Sequence, residues 1–473
     1  MEPAGEECIL KDRAVDQKTD GQQNITKVLK SDFDAKYNIL DISTPLNNFL
    51  SAHYKRSYAY YSLLNILPVV LTKVIDSITK DKNEIVTQFA PTTFVQNARE
   101  ELKIIIGLIS RLKYELQTDK PFQNFTGDEP DRESWNTFMA DLPAKANSFY
   151  QACMMHTECY MYRKLYSFVE NSIFLKQFDY FAKIKQDTLN SCQADIVTLA
   201  KYTRRTENTF DVFNELLKIN LWSTRNDLSK NENGLSFNMN VLEDVTATDS
   251  HILINEAFEI WQCLNIRRSK KQCVDFVLAD VGYELFADFI LAEYIIEKGF
   301  AAKVRFHAKA CPWFVTNTTR RDFEMTLQYL SKHSDYNLSL VGNKFLQFMD
   351  EGKFELAPVS TFWTGPHPFH CMKTVDPKLY KLVQHSKLII FKGDVNYRKL
   401  LSDVSWQSTQ DMKTCSGAVV PNSFCTIRTA KSEIICGLPE GTYERLQSID
   451  SDWMVSGSYG TIQFVLGTGE YGY

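Results

Sequence analysis

From about residue 45 to 265 the apolar positions recur every third or fourth residue. YYSLLNILPVVLTKVIDSITK (60–80), AREELKIIIGLISRLKYEL (98–116) and FYQACMMHTECYMYRKLYSFV (149–169) all carry this period. It places apolar side chains along one stripe of a helix, so the stretch is predicted to be largely helical. The Met and aromatic stripe of the third segment reads as core. TGDEPDRESW (126–135) reads as a polar loop between helices.

Near residue 272 the pattern changes, and short β-branched and aromatic runs alternate with helical periods. CVDFVLA (273–279) precedes ELFADFILAEYIIEKG (284–299), and AKVRFHAK (302–309) with PWFV (312–315) precedes RRDFEMTLQYLSKH (320–333). KFELAPVS (353–360) and FWT (362–364) precede PKLYKLVQHS (377–386), and KLIIFKG (387–393) precedes a helix start at NYRKLL (396–401). FCTIRTA (424–430) and TIQFVLG (461–467) close the series. Strand, helix and strand at this rhythm predict an α/β fold, with a helical N-terminal part packed on a mostly parallel, doubly wound sheet. Residues 1–35, rich in charge and amides, are expected to be a disordered extension. Residues 36–265 are expected to form the helical part, and 266–473 the α/β domain that binds metal and phosphate.

Composition narrows the function. The 473 residues are 44% hydrophobic and 23% charged, an ordinary globular mix. A formal net charge of −5 lacks the basic excess of a nucleic-acid binder. The 11 cysteines include no CxxC pair, which points to reduced thiols in a cytoplasmic or nuclear protein. The polar N-terminus does not resemble a signal peptide. LLNILPVVLTKVI (63–75) is too short to span a bilayer and holds Pro68 and Lys73, so no membrane partner is expected.

In parallel sheets ligands bind beyond the carboxyl ends of the strands. Asp280, Thr316–Asn317, Asp394 and the Arg428–Lys431 stretch all follow predicted strands. A polar residue there is often only a helix cap, and Asp280 could cap a helix beginning near Tyr283. The set as a whole suits another task. Asp280 and Asp394 offer hard oxygen ligands, Asn317 and Asn396 offer amide oxygens, and Arg398, Arg428 and Lys431 offer donors to phosphate. Such groups suit a divalent metal holding a phosphorylated substrate.

VDFVLADVGYELFADF (274–289), KVRFHAKACPWFV (303–315), KGDVNYRKL (392–400) and RTAK (428–431) resemble the damage-control phosphatase family. The branch is the one also described as protein-glutamate carboxyl methyltransferases, with RTAK matching its RTxK signature at Arg428, Thr429 and Lys431. FWTGPHPF (362–369) and HTECYMYRKLY (156–166) add to the likeness, which covers roughly residues 45–473. The resemblance implies one divalent cation, Mn²⁺ or Ni²⁺, and hydrolysis of small phosphorylated metabolites such as fructose 1-phosphate. It also implies methyl transfer from S-adenosylmethionine to glutamate side chains of a protein substrate. No glycine-rich loop of the methyltransferase type supports that second activity independently.

By resemblance, Asp280 and Asp394 are catalytic, and Asp394, Val395, Asn396, Tyr397, Arg398 and Lys431 bind substrate. Asp280, Glu284 and Asn317 would contact S-adenosylmethionine. The metal ligands depart from the family pattern. Its Asp-Asn pair falls on Ala279 and Asp280, and its third ligand, an aspartate, falls on Asn317. Ala279 cannot ligate, so Asp280 and Asn317 are left to hold the cation. The site has lost carboxylate charge and is expected to bind metal weakly. A catalytically impaired phospho-ligand or protein-binding module is the alternative reading. WSTRNDLS (222–229) and Tyr180 are milder departures.

Overall fold

The computed structural model describes residues 32–202, 207–223, 248–266, 272–417, 419 and 422–467. Among them seven strands form one sheet: β1 Ile252–Asn255, β2 Cys273–Val277, β3 Lys303–His307, β4 Phe354–Leu356, β5 Leu388–Lys392, β6 Phe424–Thr429 and β7 Gly460–Val465. Their order is β1-β7-β6-β5-β2-β3-β4. The five strands from β6 to β4 in that order are mutually parallel. β7 runs antiparallel to β6 and parallel to β1. The α/β class and the mostly parallel sheet are as the sequence pattern predicts.

β2 and β5 are buried along their whole length. Val274, Phe276, Leu388 and Ile390 belong to one apolar cluster, and Val277, Ile389 and Phe391 to another. That alternation is the period of two of a strand covered on both faces. The first cluster is completed by helices that include Phe210–Trp222, Tyr283–Glu297 and Tyr336–Asp350. The second is shared with the N-terminal helices Tyr58–Phe89, Val95–Gln117 and Met154–Glu170.

The Tyr58–Phe89 helix contains a π-helical turn at Ser62–Ile66. Pro68 has no N–H to give to the carbonyl four residues back, and beside it Leu67 N–H reaches Ser62 O instead. The whole 32-residue helix is long and apolar enough to cross a bilayer by length and composition, more than the 63–75 run alone suggests. Its stripe of Leu63, Leu67, Leu71, Val74 and Ile78 is buried against the rest of the chain.

Some local expectations are corrected. PWFV is not a strand but a turn, with Phe314 at φ +39° and Val315 at φ +64°. FWT lies in the 3-10 turn Thr361–Thr364. β1 comes from inside the stretch 36–265 that reads as helical. Residues 1–31 of the expected extension lie outside the described residues, and Asp32–Lys36 is a short helix. Of WSTRNDLS only Trp222 and Ser223 are among the described residues.

Candidate active site

The order in which successive strands are laid down reverses between the parallel neighbours β2 and β5. β2 leads to β3 and β4 on one side, and β5 leads to β6 on the other. The crevice at such a switch point is where open parallel sheets hold ligands. Asp280 follows β2 and Asp394 follows β5, so they flank it. The two strand ends touch. Gly393 has a φ of +77°, and a Cβ there would lie 2.8 Å from Ala279 Cβ. Conformation and space both require glycine at this position.

The segment after β3 folds back on the end of β2. Val281 N–H donates to Thr316 O at 2.9 Å, and Thr318 N–H donates to Ala279 O at 2.7 Å. Asp280 Oδ1 then accepts from Asn317 Nδ2 at 2.7 Å and from Thr316 Oγ1 at 2.9 Å. A carboxylate with no proton can only accept, so the amide must turn its nitrogen toward Asp280. The other end of that amide, Asn317 Oδ1, is buried with no hydrogen-bond partner.

β5 runs straight into the helix Gly393–Leu400, whose start carries no side-chain cap. Its first backbone N–H groups are therefore left for a ligand or water. Asp394 Oδ1 accepts from Lys431 N–H at 3.3 Å and Ser432 Oγ at 3.1 Å, and lies 3.0 Å from Arg428 Nη1. Arg428 is fully buried, with its guanidinium 3.9 Å above the Tyr397 ring. Arg398 forks onto Asp403, Nε to Oδ1 at 2.7 Å and Nη2 to Oδ2 at 2.9 Å, and its Nη1 reaches Glu158 Oε2 at 2.6 Å. Two carboxylates thus offset its charge and hold its pKa well above the usual value despite burial.

Off the cleft surface lies a buried polar cluster. Lys392 Nζ sits 2.9 Å from Asp288 Oδ1 and 3.6 Å from Glu284 Oε1, and donates to Asn220 Oδ1 at 2.6 Å. Neither Glu284 oxygen has a hydrogen-bond partner. Burial, opposed by Lys392 and reinforced by Asp280 and Asp288, raises the Glu284 pKa to about 8. Burial raises Asp288 to about 6 against the same lysine. Lys309 donates to Asn396 Oδ1 at 2.9 Å, and burial beside Lys399 pushes its pKa down to about 7.

One cleft of about 880 Å³, part of it open to solvent, gathers most of the expected residues. Ala279, Asp280, Asn317, Asp394, Val395 and Lys431 line it, with Arg398 and Thr429. Asn396, Tyr397, Glu284 and Arg428 are not on that lining. Asn396 instead braces the strand ends, donating to Val277 O, Leu278 O and Lys392 O at 3.1, 3.3 and 2.7 Å. The residue set that would contact S-adenosylmethionine is therefore split, with Glu284 below the surface. Sequence reasoning missed the opposite wall, where Tyr58, Ser62, Glu158 and Tyr162 come from the N-terminal helices. Glu158 and Tyr162 do lie within HTECYMYRKLY, so a signal for them was present.

Asp280 and Asn317 offer a hard cation one carboxylate and one orphaned amide oxygen. Among the described residues no group of three His, Cys, Asp or Glu side chains adds to that set. The donors fit a divalent cation by type, at reduced charge. Beside them stand an uncapped helix start and Lys431, both suited to an anion. The fold and site define an α/β protein with a polar cleft at the switch point of its sheet.

Comparison with known proteins agrees. Residues 64–446 match the damage-control phosphatase ARMT1-like domain, and the chain belongs to that family. It is 33% identical over 440 residues to damage-control phosphatase ARMT1 of Xenopus tropicalis, covering 88% of this chain and 98% of that one. The protein of the same name from Danio rerio is 32% identical, over 88% of this chain and 96% of its own. The Homo sapiens protein is 32% identical, over 86% and 96%.

Proposed function

We propose that this chain is a metal-assisted phosphomonoester hydrolase acting on small phosphorylated metabolites. The observation that supports it most is the meeting of the Asp280–Asn317 pair, the start of the Gly393–Leu400 helix and Lys431 in one cleft. A divalent cation, Mn²⁺ or Ni²⁺ by family likeness, would be held by Asp280 and Asn317 and would polarise a phosphoryl oxygen. The helix start and Lys431 bind the phosphate and offset the charge that grows in the transition state. Asp394 makes its three contacts through Oδ1, so Oδ2 is the oxygen available to orient an attacking water. Arg398 acts through position, because Asp403 and Glu158 already offset its charge.

Turnover of p-nitrophenyl phosphate with and without Mn²⁺ tests this reading, in wild type and Lys431→Ala. Mn²⁺-dependent hydrolysis is expected. Loss of a charge-assisted contact to phosphate, about 1.5–3 kcal/mol, should weaken substrate by about tenfold or more in the variant. Binding of inorganic phosphate without turnover would leave a phospho-ligand binding protein. No binding at all would remove the phosphate site.

A further inference from the structure

We propose that Arg428 is a positioning residue that keeps the Asp394 carboxylate off the phosphate site. This rests on the phosphate reading above and adds how that site is kept open.

Arg428 is expected from sequence to offer donors to phosphate, but the fold turns it away. It is fully buried and, unlike Arg398 and Lys431, is not on the cleft lining. None of its guanidinium nitrogens makes an aligned hydrogen bond among the described residues. Two other contacts hold it. Its guanidinium lies 3.9 Å from the centre of the Tyr397 ring, and Nη1 lies 3.0 Å from Asp394 Oδ1. Tyr397 is itself fixed, because its hydroxyl accepts from Cys436 N–H at 3.3 Å. Among the described residues Asp394 is the carboxylate paired with Arg428. A buried cation needs such a partner, and it fixes the partner in return.

Asp394 is a side chain that needs holding. It sits in the first turn of the Gly393–Leu400 helix, where the helix dipole favours a negative charge. An aspartate at a helix start readily turns back to accept from the free N–H groups. Asp394 does not, for the helix start carries no side-chain cap. Its Oδ1 is drawn instead to Arg428, Lys431 N–H and Ser432 Oγ. Released from Arg428, the carboxylate would compete with phosphate for the same N–H groups and repel it. The same uncompensated charge would favour a cation in the cleft that Asp280 and Asp394 both line.

The test is calorimetric titration of the full chain with inorganic phosphate and, separately, with Mn²⁺. Arg428→Met keeps an unbranched side chain and removes the charge. It is expected to weaken phosphate by about fivefold or more and to tighten Mn²⁺ by about threefold or more. A folding defect would weaken both ligands, so the opposed changes distinguish the two. Adding Asp394→Asn removes the released charge and keeps an acceptor for Lys431 N–H and Ser432. The double variant should return both affinities to within about threefold of wild type. If Arg428→Met does not fold, Tyr397→Leu takes the ring from beneath the guanidinium, and smaller changes in the same directions are expected. Phosphate binding that stays weak in the double variant overturns the proposal and makes Arg428 a direct phosphate contact. Unchanged phosphate affinity in the folded single variant, or weakening of both ligands, overturns it as well. If the wild-type chain binds no phosphate, the phosphate reading falls and takes this proposal with it.

Discussion

Ala279 and Gly393 come together where β2 and β5 end, at the centre of the proposed cation site. Ala279 lines the cleft but has only a methyl group to offer, and Gly393 beside it has no Cβ. Asp280 supplies the only charge of the pair it makes with Asn317. Oxygen sites are tuned by the charge of their ligands, so each carboxylate restored should matter. Ala279→Asp combined with Asn317→Asp is expected to tighten Mn²⁺ binding by at least about tenfold in calorimetry. A wild-type chain that already binds as tightly would show that the methyl and the amide are not deficits. Glu284 makes a second prediction at this scale. Its pKa lies above the ordinary carboxylate value, at about 8, so the fold favours the protonated form. Its stabilising contribution is complete below the unfolded value of about 4.5 and is lost as pH rises through about 8. Glu284→Gln fixes the neutral state. Its melting temperature relative to wild type should therefore rise between pH 5 and pH 8, and a constant difference would refute the burial argument.

The helix Gly393–Leu400 lines the cleft, and buried charge holds it in place. Arg398 ties it to Asp403 in the following turn and to Glu158 on the Met154–Glu170 helix. Asp403 also accepts from Met155 N–H at 2.7 Å, so it links the same two helices a second time. Removing one partner of a buried ion pair strands the other, at a cost of about 3–5 kcal/mol. Asp403 has a φ of +56°, which asparagine tolerates, so Asp403→Asn isolates the charge. Denaturant melts should show a loss of about 3 kcal/mol, and a loss below about 1 kcal/mol would mean the pair contributes little. The sequence reveals these elements unevenly. β2 and β5 were legible because they are buried on both faces and read as mostly apolar runs, interrupted only by Asp275 in β2 and ended by Lys392 in β5. The site residues after them were legible because they directly follow such runs. PWFV misled because its composition suits a strand while its backbone turns through positive φ. β1 was missed because its four residues are short and only partly buried within a helical stretch. Asp403 and Tyr58 carry no local pattern, since their roles depend on contacts with residues distant in sequence.

At the scale of the whole molecule, the helical stretch and the sheet share one core. Leu63, Leu102 and Met161 from the N-terminal helices join the same apolar cluster as Val277, Phe391 and Phe424 from the strands. The cleft itself lies between the two parts, with Tyr58 and Glu158 on one wall and Asp280 and Asp394 on the other. Separating them would expose apolar surface at roughly 25 cal/mol per Å² and break the buried Arg398–Glu158 pair. Neither part is then expected to persist alone, although 473 residues is long enough for two independent domains. Scanning calorimetry should give one transition whose calorimetric and van't Hoff enthalpies agree, coincident with loss of far-UV and near-UV circular dichroism. Cation binding should disappear in the same temperature range, because its ligands sit on the edge that the helices cover. Two resolved transitions, or a fragment of residues 36–265 that melts cooperatively by itself, would show that the helical part is a separate domain docked on the sheet.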